Sequence, residues 1–286
     1  MGGGSWTASS FVSYSRSVGR DIDVKSGDVI GSYSAQEMFK SHHLNEALNP
    51  FNVIRECCDS EEHPNTVPVI LALDVTGSMG SSSVEVAKKL NVVMTELYNK
   101  VKDVEFMIMA IGDLAYDTSP IQASQFESDI RIAEQLDKIY FEAGGGGNSF
   151  ESYTAAWYFG ARHTKLDCWN RGKKGLIITI GDELINPYLP KKELSNVLGD
   201  NLQDVINTKD LLNEVSEKYE LYHLNVSDTY SGKNACNLES FAKYIGENHV
   251  RNINVNNIAE SIIDIVTNHA NNNQQIINTN NKPISW

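Results

Sequence analysis

Apolar runs alternate with amphipathic segments from residue 67 onward, and this alternation is the strongest structural signal in the chain. A short continuous apolar run is typical of a strand that is covered on both faces, whereas apolar residues that recur at steps of three and four predict a helix with one buried face. The predicted strands are 67–73, 104–111, 120–123, 175–180, 221–226 and 252–255, and the predicted helices are 84–101, 126–136, 153–163, 209–218, 238–245 and 258–266.

The order of these elements predicts the fold class. Strands that alternate with helices are typical of an α/β domain in which helices cover both faces of a mostly parallel sheet. We therefore expect a Rossmann-like fold of three layers with about six strands. The short strand 120–123 is expected to pair antiparallel at one edge of the sheet.

The two ends of the chain lack this alternation. Residues 1–66 are rich in Ser and Gly, with helix-like patches at 35–48 and 53–58, and we expect them to form an extension that packs on or near a domain of residues 67–267. The Asn-rich tail 268–286 has no periodicity, which predicts disorder or packing only through Ile276, Ile277 and Trp286.

Composition narrows the class of partner. The chain of 286 residues is 41% hydrophobic, enough for one large core, and its formal charge of −13 without clustered Lys or Arg argues against binding nucleic acid. No apolar stretch approaches about 18 residues, and no signal segment is evident, so we expect a soluble, cytoplasmic protein with no membrane contact. The four cysteines and seven histidines lack the spacing of a zinc site or a disulfide framework.

Three predicted strands end at an aspartate, namely Asp74, Asp113 and Asp182. Because parallel strands of an open α/β sheet present their carboxyl ends at one edge, where ligands bind, these side chains are expected to converge. Thr76 and Ser78 follow Asp74 with a spacing that lets both hydroxyls turn toward its carboxylate. Carboxylate and hydroxyl oxygens suit Mg²⁺ or Mn²⁺, and Ca²⁺ is less favoured.

The segment LALDVTGSM at residues 71–79 resembles the metal-ion-dependent adhesion motif, D-x-[ST]-x-S, of the von Willebrand factor A family. The apolar strand before it, the amphipathic helix after it and the order of elements over residues 67–267 extend the resemblance. The resemblance implies metal ligands at Asp74, Thr76, Ser78 and Asp182, and a second-loop ligand at Asn148 or Ser149. The family places a threonine at the second-loop position, where this chain has the glycine run 144–147 followed by Asn148 and Ser149. Asp113 has no counterpart in the family motif.

The resemblance also implies a function. A metal whose ligands are mostly neutral hydroxyls stays electrophilic, so it can accept an Asp or Glu oxygen from a protein partner in place of water. Intracellular bacterial and phage members of the family look like adaptors that are often associated with AAA+ ATPases of the MoxR type, which makes such an ATPase the partner that the resemblance suggests. The sequence leaves the oligomeric state open.

Other interpretations of the same residues remain. A metal-dependent hydrolase or phosphoryl-transfer enzyme of the haloacid dehalogenase type would need a second aspartate where Thr76 stands, so a non-enzymatic role is favoured. The segment 74–78 alone could simply cap the next helix. The acidic segment 55–62 could act as an internal ligand of the metal or of the sheet edge.

Overall fold

The computed structural model describes residues 4–142 and 150–280, with side chains described up to residue 273. Its centre is a six-stranded sheet built from β1 (Val67–Asp74), β2 (Val104–Ile111), β3 (Ile121–Ala123), β4 (Gly175–Gly181), β5 (Tyr219–Val226) and β6 (Val250–Ile253). The strands lie in the order β3-β2-β1-β4-β5-β6, and every pair is parallel except β2 with β3. The predicted fold class and the antiparallel edge strand are both confirmed.

Both faces of this sheet are covered by helices. The helices are α1 (Ala8–Ser17), α2 (Ala35–Met38), α3 (Gly80–Lys100), α4 (Arg131–Leu136), α5 (Thr154–Arg162), α6 (Lys191–Leu198), α7 (Thr208–Ser216), α8 (Ala235–Ile245) and α9 (Ile258–Asn280). The side chains of Val69, Leu71 and Leu73 pack in a core with α1, α2, α3, α4 and α9. Ile70 and Ala72 pack in a second core with α5, α6, α7 and α8. Burial on both faces explains why β1 is apolar at every position between Val69 and Leu73.

The amino-terminal segment is part of the first core. Trp6, Phe11, Met38 and Phe39 are all less than a tenth exposed and belong to the same cluster as α3. The buried guanidinium of Arg20 pairs with Asp137, which also accepts a 2.7 Å hydrogen bond from the Tyr14 hydroxyl. Residues before β1 therefore complete the hydrophobic core, and the proposed boundary at residue 66 stays a prediction.

Three local predictions differ from the structure. Residues 53–58 were expected to be helix-like, but Arg55–Cys57 form a strand parallel to Thr164–Leu166, held by backbone pairing that the local sequence does not indicate. The helix expected from residue 126 begins only at Arg131, because the backbone of Glu127 is bonded to Phe106 in an extended bridge. Helix α9 continues to Asn280, well beyond the predicted end at residue 266.

Small two-stranded ladders connect the loops around the sheet. They pair Asp21–Ile22 with Val29–Ile30, Phe150–Glu151 with Leu184–Ile185, and Tyr188–Leu189 with Ile206–Asn207. The second ladder joins the loop after β4 to the segment that leads into α5, directly beside the carboxyl ends of β1 and β4. No helix in the described part of the chain is long and apolar enough to cross a bilayer.

Candidate metal centre

The strand order reverses between β1 and β4. The chain leaves β1 for α3 on one face of the sheet and leaves β4 for α6 on the other, so the loops separate and open a crevice at the carboxyl ends of these two strands. Such a switch point is where ligands bind in open α/β sheets. Asp74 is the last residue of β1, and Asp182 directly follows β4, so both lie at this crevice.

Asp74 is completely buried, and both of its carboxylate oxygens accept hydrogen bonds. The hydroxyl and the backbone N–H of Thr76 donate to Oδ1 at 2.6 Å and 2.9 Å. The hydroxyl of Tyr153 donates to Oδ2 at 2.7 Å. The buried Ser83 on α3 donates its hydroxyl to the Asp74 backbone carbonyl at 2.9 Å, which fixes the end of the strand against the next helix.

Ser78 connects the two strand ends. Its exposed hydroxyl donates a 2.9 Å hydrogen bond to Asp182 Oδ1 and lies 3.5 Å from the Thr76 hydroxyl oxygen. The other oxygen of Asp182, Oδ2, is buried and makes no hydrogen bond among the described residues, although the Thr229 hydroxyl lies close enough to lower the pKa of Asp182. The backbone carbonyl of Asp182 accepts a 2.6 Å hydrogen bond from the Asn237 side chain on α8. The structure thus brings Asp74, Thr76, Ser78 and Asp182 together in one group made of two hydrogen-bonded pairs, Thr76 with Asp74 and Ser78 with Asp182.

Tyr153 is a member of this group that the sequence analysis missed. Its phenol oxygen donates to Asp74 and accepts the backbone N–H groups of Asp182 and Glu183 at 3.1 Å and 3.2 Å. Gly181 makes room for it, because a Cβ at that position would lie 2.5 Å from Tyr153 Cζ. In the sequence Tyr153 is simply the first aromatic residue of a helix, so no local signal marks this role.

The electrostatics of the centre favour a cation. Burial and the nearby charge of Asp182 raise the pKa of Asp74 to about 7, against the opposing effect of the hydrogen bonds from Thr76 and Tyr153. Burial also raises the pKa of Asp182. Neither carboxylate is in an ion pair within the described residues. Two buried carboxylates without a counter-charge are costly unless a cation joins them.

The donor set fits a small divalent cation. A hydroxyl has one donor and two acceptor lone pairs, so Thr76 and Ser78 can donate to the carboxylates and still offer oxygen to a metal. The unpartnered Asp182 Oδ2 supplies a further oxygen. Within residues 4–142 and 150–280, no group of three or more His, Cys, Asp or Glu side chains is placed to hold a metal. The candidate centre has only two carboxylate residues, Asp74 and Asp182. Its other oxygen ligands would be the hydroxyls of Thr76 and Ser78.

Other predicted residues lie elsewhere or outside the described chain. Asn148 and Ser149 fall in 143–149, outside the described residues. Asp113 follows β2 at the same edge, but its Oδ1 accepts the Ala115 N–H at 2.8 Å, and its own N–H donates to Asp117 at 2.7 Å. Its carboxylate therefore helps to form the loop turn after β2.

Glu56, Asp59 and Glu62 of the acidic segment 55–62 make their contacts away from the candidate centre, which contradicts an internal metal-ligand role for these three residues. Asp59 pairs with Arg171 and accepts hydrogen bonds from Thr66, the residue before β1. Glu62 accepts the Gly4 N–H at 2.6 Å, and Glu56 pairs with Lys165. Asp59 thus lies at the amino end of β1, and a strand of eight residues separates that end from the candidate centre at Asp74.

Glu151 is a further carboxylate that sequence reasoning did not single out. It is 6% exposed, and its Oε2 has no hydrogen-bond partner among the residues that the structure describes. Burial, followed by the charge of Asp74, raises the pKa of Glu151 above its usual value. Burial lowers the pKa of His223, whose ring packs edge-on against Tyr153, to about 3.

The sequence matches no family model and no curated protein. Its structure is similar to that of the pilus adhesin SpaC from Lactobacillus rhamnosus GG in an open conformation, with 13% identity, a TM-score of 0.46, and coverage of 73% of this chain and 30% of the adhesin. It is similar to the vWF domain of the type V pili tip protein Mfa5 from Porphyromonas gingivalis, with 13% identity, a TM-score of 0.43, and coverage of 77% and 98%. A third similar structure is the conserved hypothetical protein BatB from Bacteroides thetaiotaomicron, with 12% identity, a TM-score of 0.44, and coverage of 73% and 99%. Because the TM-scores are 0.46 or lower, these similarities carry no argument about the function of this chain.

Proposed function

We propose that this chain is a von Willebrand factor A-type domain that binds Mg²⁺ or Mn²⁺ and uses the metal to capture an acidic residue of a protein partner. Asp74, Thr76, Ser78 and Asp182 would hold the metal, with a second-loop oxygen from Asn148 or Ser149. The observation that carries the proposal is the pair of buried carboxylates at neighbouring strand ends, bonded to the neighbouring hydroxyls of Thr76 and Ser78, with Asp182 Oδ2 making no hydrogen bond among the described residues.

Hydrogen bonds from neighbouring side chains orient the two carboxylates of such a site. Thr76 and Tyr153 hold the Asp74 carboxylate in one orientation, and Ser78 does the same for Asp182. Ser78 is exposed, so a metal bound at its hydroxyl would be accessible from solvent. A bound divalent cation would supply an electrophilic position for an incoming carboxylate.

Exposed aromatic side chains near the centre support contact with a protein. Tyr116, Tyr188 and Tyr230 lie on the loops that follow β2, β4 and β5, and they are 59%, 49% and 95% exposed. Parallel strands place these loops at the same edge of the sheet as Asp74 and Asp182. Tyrosine is enriched among the residues that carry most of the binding energy in protein interfaces.

The enzymatic alternative has less support. A phosphoryl-transfer enzyme of the kind considered above needs an acid at position 76, and Thr76 is instead a hydrogen-bond donor to Asp74. His223 packs against Tyr153, but it is completely buried. A general acid or base must reach the proton that it transfers, so His223 is not suited to that role.

Calorimetric titration of Mg²⁺ and Mn²⁺ tests the metal site. We expect saturable uptake by the wild type and loss of uptake in Asp74→Ala and Asp182→Asn, with circular dichroism showing that the variants are folded. Glu239→Ala, which removes an exposed carboxylate from α8, is the matched control and should bind as the wild type does. Equal uptake by Asp74→Ala and the wild type would contradict the proposal.

An affinity pull-down tests the partner. We expect a protein, with a MoxR-type AAA+ ATPase as the first candidate, to be retained in the presence of Mg²⁺. It should be released by EDTA and should be absent with Asp74→Ala. Retention that is unchanged by EDTA would show that the metal plays no part in binding.

A further inference from the structure

A cavity of about 290 Å³ opens beside the candidate metal centre. Its lining combines two carboxylate residues, Asp113 and Glu151, with the aromatic and proline side chains of Tyr188, Pro187 and Pro190. Asp113 follows β2, Glu151 precedes α5 and the other three follow β4, so three separate loops at one edge of the sheet form the cavity. An acidic end and apolar walls are the features of a site for a cationic side chain with an apolar stem.

The surroundings of Glu151 indicate that a ligand of this cavity would carry a positive charge. It is 6% exposed, its Oε2 has no hydrogen-bond partner, and no ion pair involves it among the described residues. The backbone holds the residue in place, since Glu151 pairs with Ile185 and its carbonyl accepts the Tyr153 N–H at 2.9 Å. A buried, fixed carboxyl group without a partner is costly, and an incoming cation with N–H donors would satisfy it.

The walls of the cavity favour arginine over lysine. Tyr188 lines the cavity and is 49% exposed, so part of its side chain is accessible to a ligand. A planar guanidinium stacks on an aromatic ring and donates to carboxylates through several N–H groups, whereas an ammonium is a compact, strongly hydrated charge. The net charge of −13 would also attract a basic partner surface.

We infer that this cavity binds an arginine side chain of the protein partner. Its donors would meet Glu151, and its plane would lie against Tyr188. The assignment of the arginine to the partner rests on the proposed function, whereas the cavity and its unpartnered carboxyl group do not depend on the metal. A partner that fits both sites presents an arginine close to the acidic residue that reaches the metal.

The test uses N-acetyl-L-argininamide as the probe and follows NMR chemical shifts of the full chain in Mg²⁺ and in EDTA. We expect saturable shifts at residues lining the cavity in both buffers, and no binding of the neutral analogue N-acetyl-L-citrullinamide. Loss of charge-assisted hydrogen bonds should weaken probe binding by about tenfold or more in Glu151→Gln. Tyr188→Ala, a change at an exposed side chain, should weaken it as well, and Glu239→Gln should leave it unchanged.

The outcomes separate this inference from the proposed function. Equal binding of both probes, or full binding by both Glu151→Gln and Tyr188→Ala, would overturn the arginine site. A chain that takes up Mg²⁺ but does not bind the arginine probe would overturn this inference alone. A chain that binds the probe at the cavity but takes up no Mg²⁺ or Mn²⁺ would overturn the proposed metal-dependent function alone.

Discussion

The phenol oxygen of Tyr153 lies 2.7 Å from Asp74 Oδ2 and also accepts the backbone N–H groups of Asp182 and Glu183. One buried hydroxyl thus joins the end of β1 to the loop after β4, across the point where the strand order reverses. The relationship explains how two strand ends from distant parts of the chain keep a fixed separation before any cation binds.

Removal of this hydroxyl should affect both stability and metal binding. Tyr153→Phe leaves the Asp74 oxygen and two backbone N–H groups without their partner, so we expect a loss of about 1–3 kcal/mol in the free energy of unfolding. Metal affinity should fall as well, because Asp74 loses a hydrogen bond that orients it. Urea unfolding and metal calorimetry measure the two effects.

Tyr98→Phe is the control for this prediction. Its hydroxyl donates to the Val104 carbonyl at the amino end of β2, so its removal should lower stability without changing metal uptake. If Tyr153→Phe behaved in the same way as Tyr98→Phe in both measurements, Tyr153 would have only a structural role.

Gly181→Ala should be poorly tolerated. The new Cβ would lie 2.5 Å from Tyr153 Cζ, and the Tyr153 ring is completely buried. We expect a loss of about 1–3 kcal/mol from overpacking, together with weaker metal binding. Gly80→Ala is the comparison, because its Cβ would meet Phe141 only at 3.7 Å, and stability should be nearly unchanged. Similar thermal unfolding of the two variants would show that the contact with Tyr153 is not limiting.

The ion pair between Arg20 and Asp137 should be important for stability. Both side chains are buried, and Asp137 also accepts the Tyr14 hydroxyl, so Asp137→Ala leaves a buried guanidinium without a counter-charge. We expect a loss of about 3–5 kcal/mol by chemical unfolding. Lys165→Ala breaks an exposed pair with Glu56 and should leave stability nearly unchanged. A small effect of Asp137→Ala would mean that the pair between Arg20 and Asp137 contributes little to stability.

Glu220 should make the stability of the chain depend on pH. Its carboxylate accepts a 2.6 Å hydrogen bond from the His269 ring on α9, and this bond is the main reason why the pKa of Glu220 is lowered from its usual value of 4.5. A lowered pKa in the folded state means that the stabilisation is complete above about pH 4.5 and is lost as the pH falls through the folded-state pKa.

Glu220→Gln should therefore be destabilising at neutral pH, by about 1.5–3 kcal/mol. Its difference from the wild type should shrink in acid, where Glu220 is protonated in both the folded and the unfolded chain. Urea unfolding between pH 7 and pH 3 measures this difference, with the exposed Glu217→Gln as the control. A difference that stayed constant over this range would contradict the assignment.

Hydrophobic patterning alone determined the architecture of this protein. Strands covered on both faces must be apolar at every position, and helices must place apolar residues at regular steps, so β1, β2, β4 and most helices could be placed from local sequence. The carboxyl ends of parallel strands share one edge, and this rule was enough to bring Asp74 and Asp182 together as a prediction. The structure bonds Ser78, from the loop after β1, to Asp182 after β4.

Only the tertiary structure decided how the centre is supported and where the chain packs at its ends. Tyr153 reaches Asp74 across 79 positions, and Arg55 pairs with Thr164, so neither relationship is present in any local window. The asparagines of the predicted tail are weak helix formers, yet α9 extends because Ala270 is buried and His269 is bonded to β5. Contacts between distant residues contribute more free energy than local propensity at these positions, and a local pattern carries no information about such contacts.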